Sequence, residues 1–139
     1  MKRIYLLLLV VAVAVIFTAC QKNPAPKEVS PVPNTYISIS QEEAKHLMDT
    51  ETGYIILDVR RQDEYDAGHI PNAVLLPNET LAETAESVLK DKDQLILVYC
   101  RSGNRSKQAS QVLADLGYTN VKEFGGILDW QYEIVIECN

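Results

Sequence analysis

The sequence has few of the groups that bind metals and nucleotides. It contains two histidines, His46 and His69, and neither stands at a ligand spacing from a pair of cysteines. It also lacks a glycine-rich motif of the kind that binds phosphates or dinucleotides. We therefore expect neither a metal ion nor a cofactor in this protein.

Positive charge is also scarce. Lys and Arg number 13 against 19 Asp and Glu, which gives a formal net charge of −6 at pH 7. An acidic chain repels the phosphates of nucleic acids and offers no broad basic patch to lipid headgroups. We therefore expect no nucleic-acid partner and a small-molecule or protein partner instead.

No apolar run reaches the length of about 20 residues that a membrane-spanning helix needs. The longest, Ile4 to Phe17, follows Met1-Lys2-Arg3 and leads into Thr18-Ala19-Cys20. A basic start, a short apolar run and small residues are typical of a bacterial export signal. Cys20 resembles a lipoprotein cleavage site, which predicts a signal peptide at residues 1–19 and a lipidated Cys20. Ordinary secretion and an uncleaved anchor helix are the alternatives.

The next segment, residues 20–35, contains four of the six prolines and no apolar period. Such a segment predicts an extended tether, spanning up to about 3.1 Å per residue. Residues 36–139 then have the size of one domain. Together these features predict a monomeric domain that its N-terminal lipid attaches to a bacterial membrane. It would face outside the cytoplasm, in the periplasm or at the cell surface.

Strand and helix patterns alternate through the domain. Short apolar runs predict strands at residues 36–39, 54–59, 73–76, 95–99 and 121–124. Helical spacing predicts a helix opened by Ser40, a helix opened by Asn78 with Leu81, Ala85, Val88 and Leu89 inward, a helix ending at Gly117, and a short helix around Trp130. This alternation predicts an α/β fold with a mostly parallel sheet and helices on both faces.

One loop carries the chemistry. Cys100-Arg101-Ser102-Gly103-Asn104-Arg105-Ser106 joins a buried strand to an amphipathic helix. Backbone N–H groups gather at a helix N-terminus, so they, the helix dipole and the two guanidinium groups should lower the pKa of the Cys100 thiol. An inert buried cysteine is the alternative, but two arginines beside it would be costly to bury.

The spacing within this loop separates two chemistries. Cysteine phosphatases use Cys-x5-Arg, a loop wide enough to surround a phosphate, whereas Cys100 and Arg105 are spaced as Cys-x4-Arg. The tighter ring suits a smaller guest, such as one extra sulfur on the cysteine. A phosphatase or arsenate reductase is therefore disfavoured.

The loop resembles the active-site loop of single-domain rhodaneses, which are sulfurtransferases. Further motifs match the rhodanese pattern in order: Asp58-Val-Arg60, Glu64-Tyr65, Gly68-His-Ile-Pro71-x-Ala73 and Gly125-Gly126-x-x-x-Trp130. The resemblance covers nearly all of Tyr36 to Trp130 and implies a five-stranded parallel sheet in which the strand ending at Asp58 is central. Asn72 replaces a common glycine, but Asn tolerates left-handed backbone, so we expect the turn to survive.

The resemblance implies that Cys100 takes a sulfane sulfur from an anionic donor such as thiosulfate. The Cys100 persulfide would then pass this sulfur to cyanide or a thiol. Arg101 and Arg105 would hold the donor, and Ser102, Gly103 and Asn104 would complete the binding loop. The alternative is a low-turnover carrier that delivers persulfide sulfur to a protein partner.

Three residues are predicted to support this loop: Asp58, Arg60 and Ser106. Asp58 stands at a strand end, where it could accept hydrogen bonds from the Cys100 loop or from Arg105. For Arg60 we favour a structural ion pair with an Asp or Glu. His69 lies in a turn signature, and we expect a hydrogen-bonded structural residue rather than a general base.

Cys138 leaves three readings open: a disulfide with Cys100, a resolving thiol for the persulfide, or a spare cysteine. Its distance from Cys100 cannot be read from sequence, and we favour the spare cysteine because chain ends seldom reach an active site.

Overall fold

The computed structural model describes residues 35–136, and five strands in that range form one parallel sheet. The strands are β1 (Ile37–Ser38), β2 (Ile55–Asp58), β3 (Val74–Leu75), β4 (Ile96–Cys100) and β5 (Val121–Gly126). Their order is β1-β5-β4-β2-β3, and every pair is parallel. The predicted α/β fold is confirmed, although β4 rather than the strand ending at Asp58 is the middle strand.

The predicted signal peptide at residues 1–19, Cys20 and Cys138 lie outside the described residues. So does the predicted tether, except for Thr35.

Four helices join these strands, and one short 3-10 helix follows β5. They are α1 (Gln41–Thr50), α2 (Gln62–Asp66), α3 (Leu81–Val88), α4 (Asn104–Asp115) and the 3-10 helix Ile127–Asp129. The sequence did not predict α2. Among residues 35–136, no helix combines the length and the apolar character that crossing a lipid bilayer requires.

Two hydrophobic clusters lie on opposite faces of the sheet. The first packs α3 and α4 against the sheet through residues such as Leu81, Ala85 and Leu113, and the second packs α1 through Ala44. All five residues of β4 are buried, which explains its unbroken apolar run because helices cover both of its faces. The predicted helices on both faces are therefore confirmed.

The ends of two helices test the capping predictions. Ser40 caps α1, because its hydroxyl accepts a hydrogen bond from the Glu43 N–H at 3.1 Å. The prediction that Asn78 opens the next helix is wrong. The Asn78 N–H donates to the Val59 carbonyl at 3.1 Å, and α3 begins only after Thr80. The inward position predicted for Val88 is also wrong, because this residue is 45% exposed in the last turn.

The segment around His69 contains a residue with left-handed backbone and pairs with the end of the described chain. Asn72 has φ 63 and adopts left-handed backbone, as its replacement of a glycine predicted. After Trp130 the chain returns to form an antiparallel bridge, in which His69 and Val135 exchange two backbone hydrogen bonds of 2.9 and 2.8 Å.

Candidate active site

The carboxyl end of β4 and the first turn of α4 position the predicted loop. Cys100 is the last residue of β4, and α4 begins at Asn104. Between them Gly103 has φ 99, a left-handed conformation that suits glycine. The pairing of β4 with β5 also shifts register between Val98 and Cys100. The chain therefore turns sharply at the sulfur and folds its next amides around it.

The Cys100 sulfur is buried among polar groups. The residue is 1% exposed, the Gly103 N–H donates to Sγ at 3.1 Å, and the Ser106 Oγ lies 3.6 Å from Sγ. Burial alone would raise the pKa of the thiol. The Ser106 hydroxyl and the amides of Ser106, Gly103 and Ser102 outweigh burial, so the pKa lies below its ordinary value. The predicted lowering is confirmed, and these groups dominate it rather than the two guanidinium groups.

The two loop arginines lie in different surroundings. Arg105 makes a bidentate ion pair with Glu64 of α2, with both nitrogen–oxygen distances at 2.7 Å. This pair lowers the pKa of Glu64 to about 2, although burial opposes the shift. Arg101 is exposed and makes no ion pair within residues 35–136. Arg101 is therefore available to an incoming anion, and Arg105 shares its charge with a carboxylate.

Ser102 and Gly103 lie between Cys100 and α4, and Asn104 is the first residue of α4. Ser102 and Asn104 are exposed, whereas Gly103 is buried. The Arg101 carbonyl accepts a hydrogen bond from the Leu128 N–H at 3.2 Å. Gly126 lies beneath it, and a Cβ there would come within 2.2 Å of the Arg101 oxygen. The glycine of β5 thus allows the loop to pack directly on that strand.

The prediction for Asp58 is wrong. Its buried carboxylate accepts hydrogen bonds from the Arg60 amide at 2.9 Å, from the Arg60 guanidinium at 2.7–3.0 Å and from the Tyr99 hydroxyl at 2.5 Å. These donors occupy the carboxylate, so it binds neither the Cys100 loop nor Arg105. The structural ion pair favoured for Arg60 is present, and Arg60 also donates to the Gly68 carbonyl at 2.8 Å.

This network still braces the site indirectly, because Tyr99 immediately precedes Cys100. Burial and the Asp58 carboxylate raise the pKa of Tyr99 well above its ordinary value. Its hydroxyl therefore stays protonated and also accepts the Ile70 N–H at 3.2 Å.

His69 has the surroundings of a structural residue. It is 2% exposed, its Nδ1 lies 3.0 Å from the Tyr65 carbonyl, and its ring stacks on the Tyr65 ring at 3.7 Å between centroids. This arrangement fits the expected structural role.

Sequence reasoning gave no site role to Glu64, and it missed a second acid of the site, Glu123 of β5. Glu123 is 2% exposed, and its Oε1 accepts the Ser106 hydroxyl at 2.7 Å and the Gly125 N–H at 2.8 Å. The Ser38 hydroxyl donates to its Oε2 at 3.1 Å. Glu123 stands two residues after the buried Val121, so strand alternation places both on one sheet face. That spacing was the available signal for a buried carboxylate near the loop.

A surface cavity of about 410 Å³ adjoins the loop. Its lining includes Ser102, Gly103, Lys107, Glu123 and Gln41. Within residues 35–136, no three His, Cys, Asp or Glu side chains lie close enough to hold a metal ion together. The arrangement is that of a buried sulfur nucleophile with polar groups at its opening.

Comparisons with known proteins agree with this geometry. A family model for the rhodanese-like domain matches residues 40–133. The chain is 34% identical over 73 residues to thiosulfate sulfurtransferase PspE of Escherichia coli, covering 52% of this chain and 70% of that protein. It is 37% identical over 97 residues to thiosulfate sulfurtransferase GlpE of Coxiella burnetii, covering 69% and 88%. A rhodanese-like domain protein from Staphylococcus aureus superposes with a TM-score of 0.65 at 30% identity, covering 73% of this chain and 99% of that one.

Proposed function

This chain belongs to the rhodanese-like family of sulfurtransferases, and we propose that it moves sulfur from a thiosulfate-like donor through a Cys100 persulfide. The acceptor is a thiophilic nucleophile such as cyanide or a thiol. One observation carries this proposal: three backbone amides and the Ser106 hydroxyl converge on a buried sulfur whose pKa is lowered. Such a site stabilises an anionic sulfur without a separate general base.

In the first step the Cys100 thiolate attacks the outer sulfur of the donor. The donor's sulfur–sulfur bond breaks, its electron pair leaves with sulfite, and a new sulfur–sulfur bond forms on Cys100. In the second step the acceptor attacks the outer sulfur of the persulfide. The thiolate then leaves with the bond electrons, so Cys100 returns to its starting state and no external oxidant or reductant is consumed.

The loop arginines have separate roles in this proposal. Arg101, exposed and unpaired in the described part of the chain, meets the oxygens of the donor at the loop opening. Arg105 stabilises the departing sulfite charge while Glu64 holds its guanidinium in place. Ser102, Gly103 and Asn104 supply the backbone and the polar edge against which the donor rests.

Intact mass spectrometry tests the persulfide directly. After thiosulfate treatment, wild-type protein should gain the mass of one sulfur atom and lose it on addition of cyanide. Cys100→Ser should gain nothing, whereas the matched thiol variant Cys138→Ser should gain the sulfur like wild type. Wild-type protein that gains no sulfur would refute the proposal.

A second function, delivery of persulfide sulfur to a protein partner with little turnover, needs the same buried cysteine with a lowered pKa. Steady-state turnover with thiosulfate and cyanide separates the two functions, because a carrier would load with sulfur but cycle slowly.

We further propose that Cys20 is lipidated after removal of residues 1–19, and that residues 20–35 tether a monomeric domain at a bacterial membrane outside the cytoplasm. The support is the sequence of that segment, since it lies outside the described residues. Labelled palmitate should enter the wild-type protein expressed in a bacterium but not Cys20→Ser, which should also leave the membrane fraction. Equal labelling of the two proteins would contradict the lipid anchor.

Sedimentation of the 36–139 domain at a mass above that of one chain would contradict the monomer.

A further inference from the structure

A buried carboxylate lies one hydroxyl group away from the reactive sulfur. Ser106 is fully buried, and its Oγ lies 3.6 Å from the Cys100 Sγ and 2.7 Å from the Glu123 Oε1. The Gly103 and Gly125 carbonyl oxygens lie 2.9 and 3.3 Å from the same Oγ and are further possible acceptors. A serine has one hydroxyl hydrogen, so Glu123, these carbonyls and the sulfur compete for it.

We propose that Glu123 is a positioning residue that favours the persulfide of Cys100 over its free thiolate by competing with the sulfur for the hydroxyl hydrogen of Ser106. This inference rests on the proposed function, because it concerns the loaded state of the same cysteine. Glu123 touches neither donor nor acceptor in this scheme and acts through Ser106.

The negative charge lies in different places in the two states. In the free thiolate it is on Sγ, where the Ser106 hydroxyl supports it, while Glu123 competes for the same hydrogen and brings a charge of the same sign close by. Ser106 is fully buried beside Sγ, so an added sulfur extends away from it. Persulfide formation therefore moves the charge outward by about 2 Å, the length of a sulfur–sulfur bond.

The inner sulfur of the persulfide is neutral and no longer needs the Ser106 hydrogen. Ser106 can then donate to Glu123 without depriving an anion of a hydrogen bond. The carboxylate consequently destabilises the thiolate more than the persulfide, and this difference shifts the loading equilibrium toward the sulfur-bearing form.

The other charged groups around the sulfur are exposed or already paired. The exposed groups are Arg101, Lys107 and Asp129, the last of which lines the cavity. The paired groups are Glu64, which binds Arg105, and Asp58, which binds Arg60. In the described part of the chain, Glu123 is the acid that reaches Sγ through a buried hydroxyl. Its removal should therefore act on the sulfur more directly than removal of an exposed charge.

Glu123→Gln tests the proposal because it removes the charge and keeps an oxygen that can accept from Ser106 and Gly125. The first readout is the pH dependence of Cys100 alkylation by iodoacetamide, with no sulfur donor present. The midpoint should fall by roughly one pH unit, since a like charge near the thiolate is gone.

The second readout is the persulfide fraction from intact mass at a fixed thiosulfate-to-sulfite ratio. The ratio of persulfide to free thiolate should fall about three- to tenfold.

Two further variants separate positioning from a structural role. Glu83→Gln makes the same change on an exposed residue of α3 and should leave both readouts at wild-type values. Ser106→Ala should raise the alkylation midpoint more in the Glu123→Gln protein than in wild type, because a neutral amide oxygen competes less strongly than a carboxylate for the Ser106 hydrogen. Equal effects of Ser106→Ala in the two backgrounds would overturn the proposal.

The remaining outcomes are also decisive. A folded Glu123→Gln protein with unchanged midpoint and unchanged loading would overturn the role of Glu123, while wild-type loading would still support the proposed function. Wild-type protein that never gains sulfur would overturn both the role of Glu123 and the proposed function.

If Glu123→Gln does not fold, wild-type protein supplies the test. The amide resonance of Gly125, which shares the Glu123 oxygen with Ser106, should move on loading, and an unmoved resonance would overturn the proposal.

Discussion

Arg105 and Glu64 form an ion pair through two hydrogen bonds, and both guanidinium–carboxylate distances are 2.7 Å. The pair joins α2 to the first turn of α4. It fixes the plane of the Arg105 guanidinium, and only a planar, forked cation can make both bonds at once. A residue predicted to hold the donor is thus also part of a structural contact, and the two roles need different experiments.

Arg105→Ala should lower kcat/KM for thiosulfate by roughly ten- to a hundredfold, the cost of about 1.5–3 kcal/mol for a lost charge-assisted contact in the transition state. Glu64→Gln keeps Arg105 and removes its partner, so its loss should be smaller. Arg105→Lys should not restore the full rate, because a point charge cannot replace the planar fork. Wild-type kinetics in Arg105→Ala would remove this arginine from the mechanism.

Arg60→Ala should mainly reduce stability. Arg60 and Asp58 are 5% and 0% exposed, and removing the guanidinium leaves a carboxylate uncompensated in the core. Breaking a buried pair in this way costs about 3–5 kcal/mol of unfolding free energy. Urea denaturation measures that loss, and the folded fraction should keep more thiosulfate turnover than Arg105→Ala does. The opposite order of activities would assign Arg60 to the reaction.

The Glu64–Arg105 pair also predicts an acid-sensitive contribution to stability. The pKa of Glu64 is about 2 in the folded chain against an ordinary value of 4.5. A lowered carboxyl pKa stabilises the fold fully above the unfolded value, and the contribution disappears as the pH falls from 4.5 toward 2. The thermal midpoint of wild type should exceed that of Glu64→Gln at about pH 6, and the two should converge near pH 2. A constant difference across this range would contradict the assignment.

Gly126→Ala should reduce turnover by at least about tenfold, because its Cβ would collide with the Arg101 backbone and small displacements of a catalytic loop are costly. Gly53→Ala is the matched control. It also occupies a glycine site, with φ 72, but a Cβ added there would meet no atom within 4 Å, so this change should affect stability and leave turnover intact. Equal turnover of the two variants would show that the loop can shift without loss.

The sequence predicted those features that depend on neighbours along the chain. Cys100, its amides and Ser106 come together because they are contiguous across one strand end and one helix start, and Asn72 adopts left-handed backbone for a local steric reason. Asp58, Arg105 and Glu123 show the limit, because their partners depend on packing between distant segments. Glu64 binds Arg105 only because the unpredicted α2 lies beside the loop. Such pairings have no local pattern to reveal them.

The final prediction concerns Cys138, for which the sequence left three readings open. The described site requires no second thiol: Cys100 is 1% exposed, its own loop encloses its sulfur, and a small nucleophile at the loop opening can remove the outer sulfur. A disulfide to Cys100 would need the two Cα atoms within about 7 Å and a loop opened far enough to admit a second side chain. We therefore expect Cys138→Ser to keep near-normal turnover with thiosulfate and cyanide, whereas Cys100→Ser abolishes it. Non-reducing peptide mapping of protein isolated from the cells that produce it is the companion measurement. A peptide linking Cys100 to Cys138 would show that oxidation switches the enzyme off, and it would require a loop that opens.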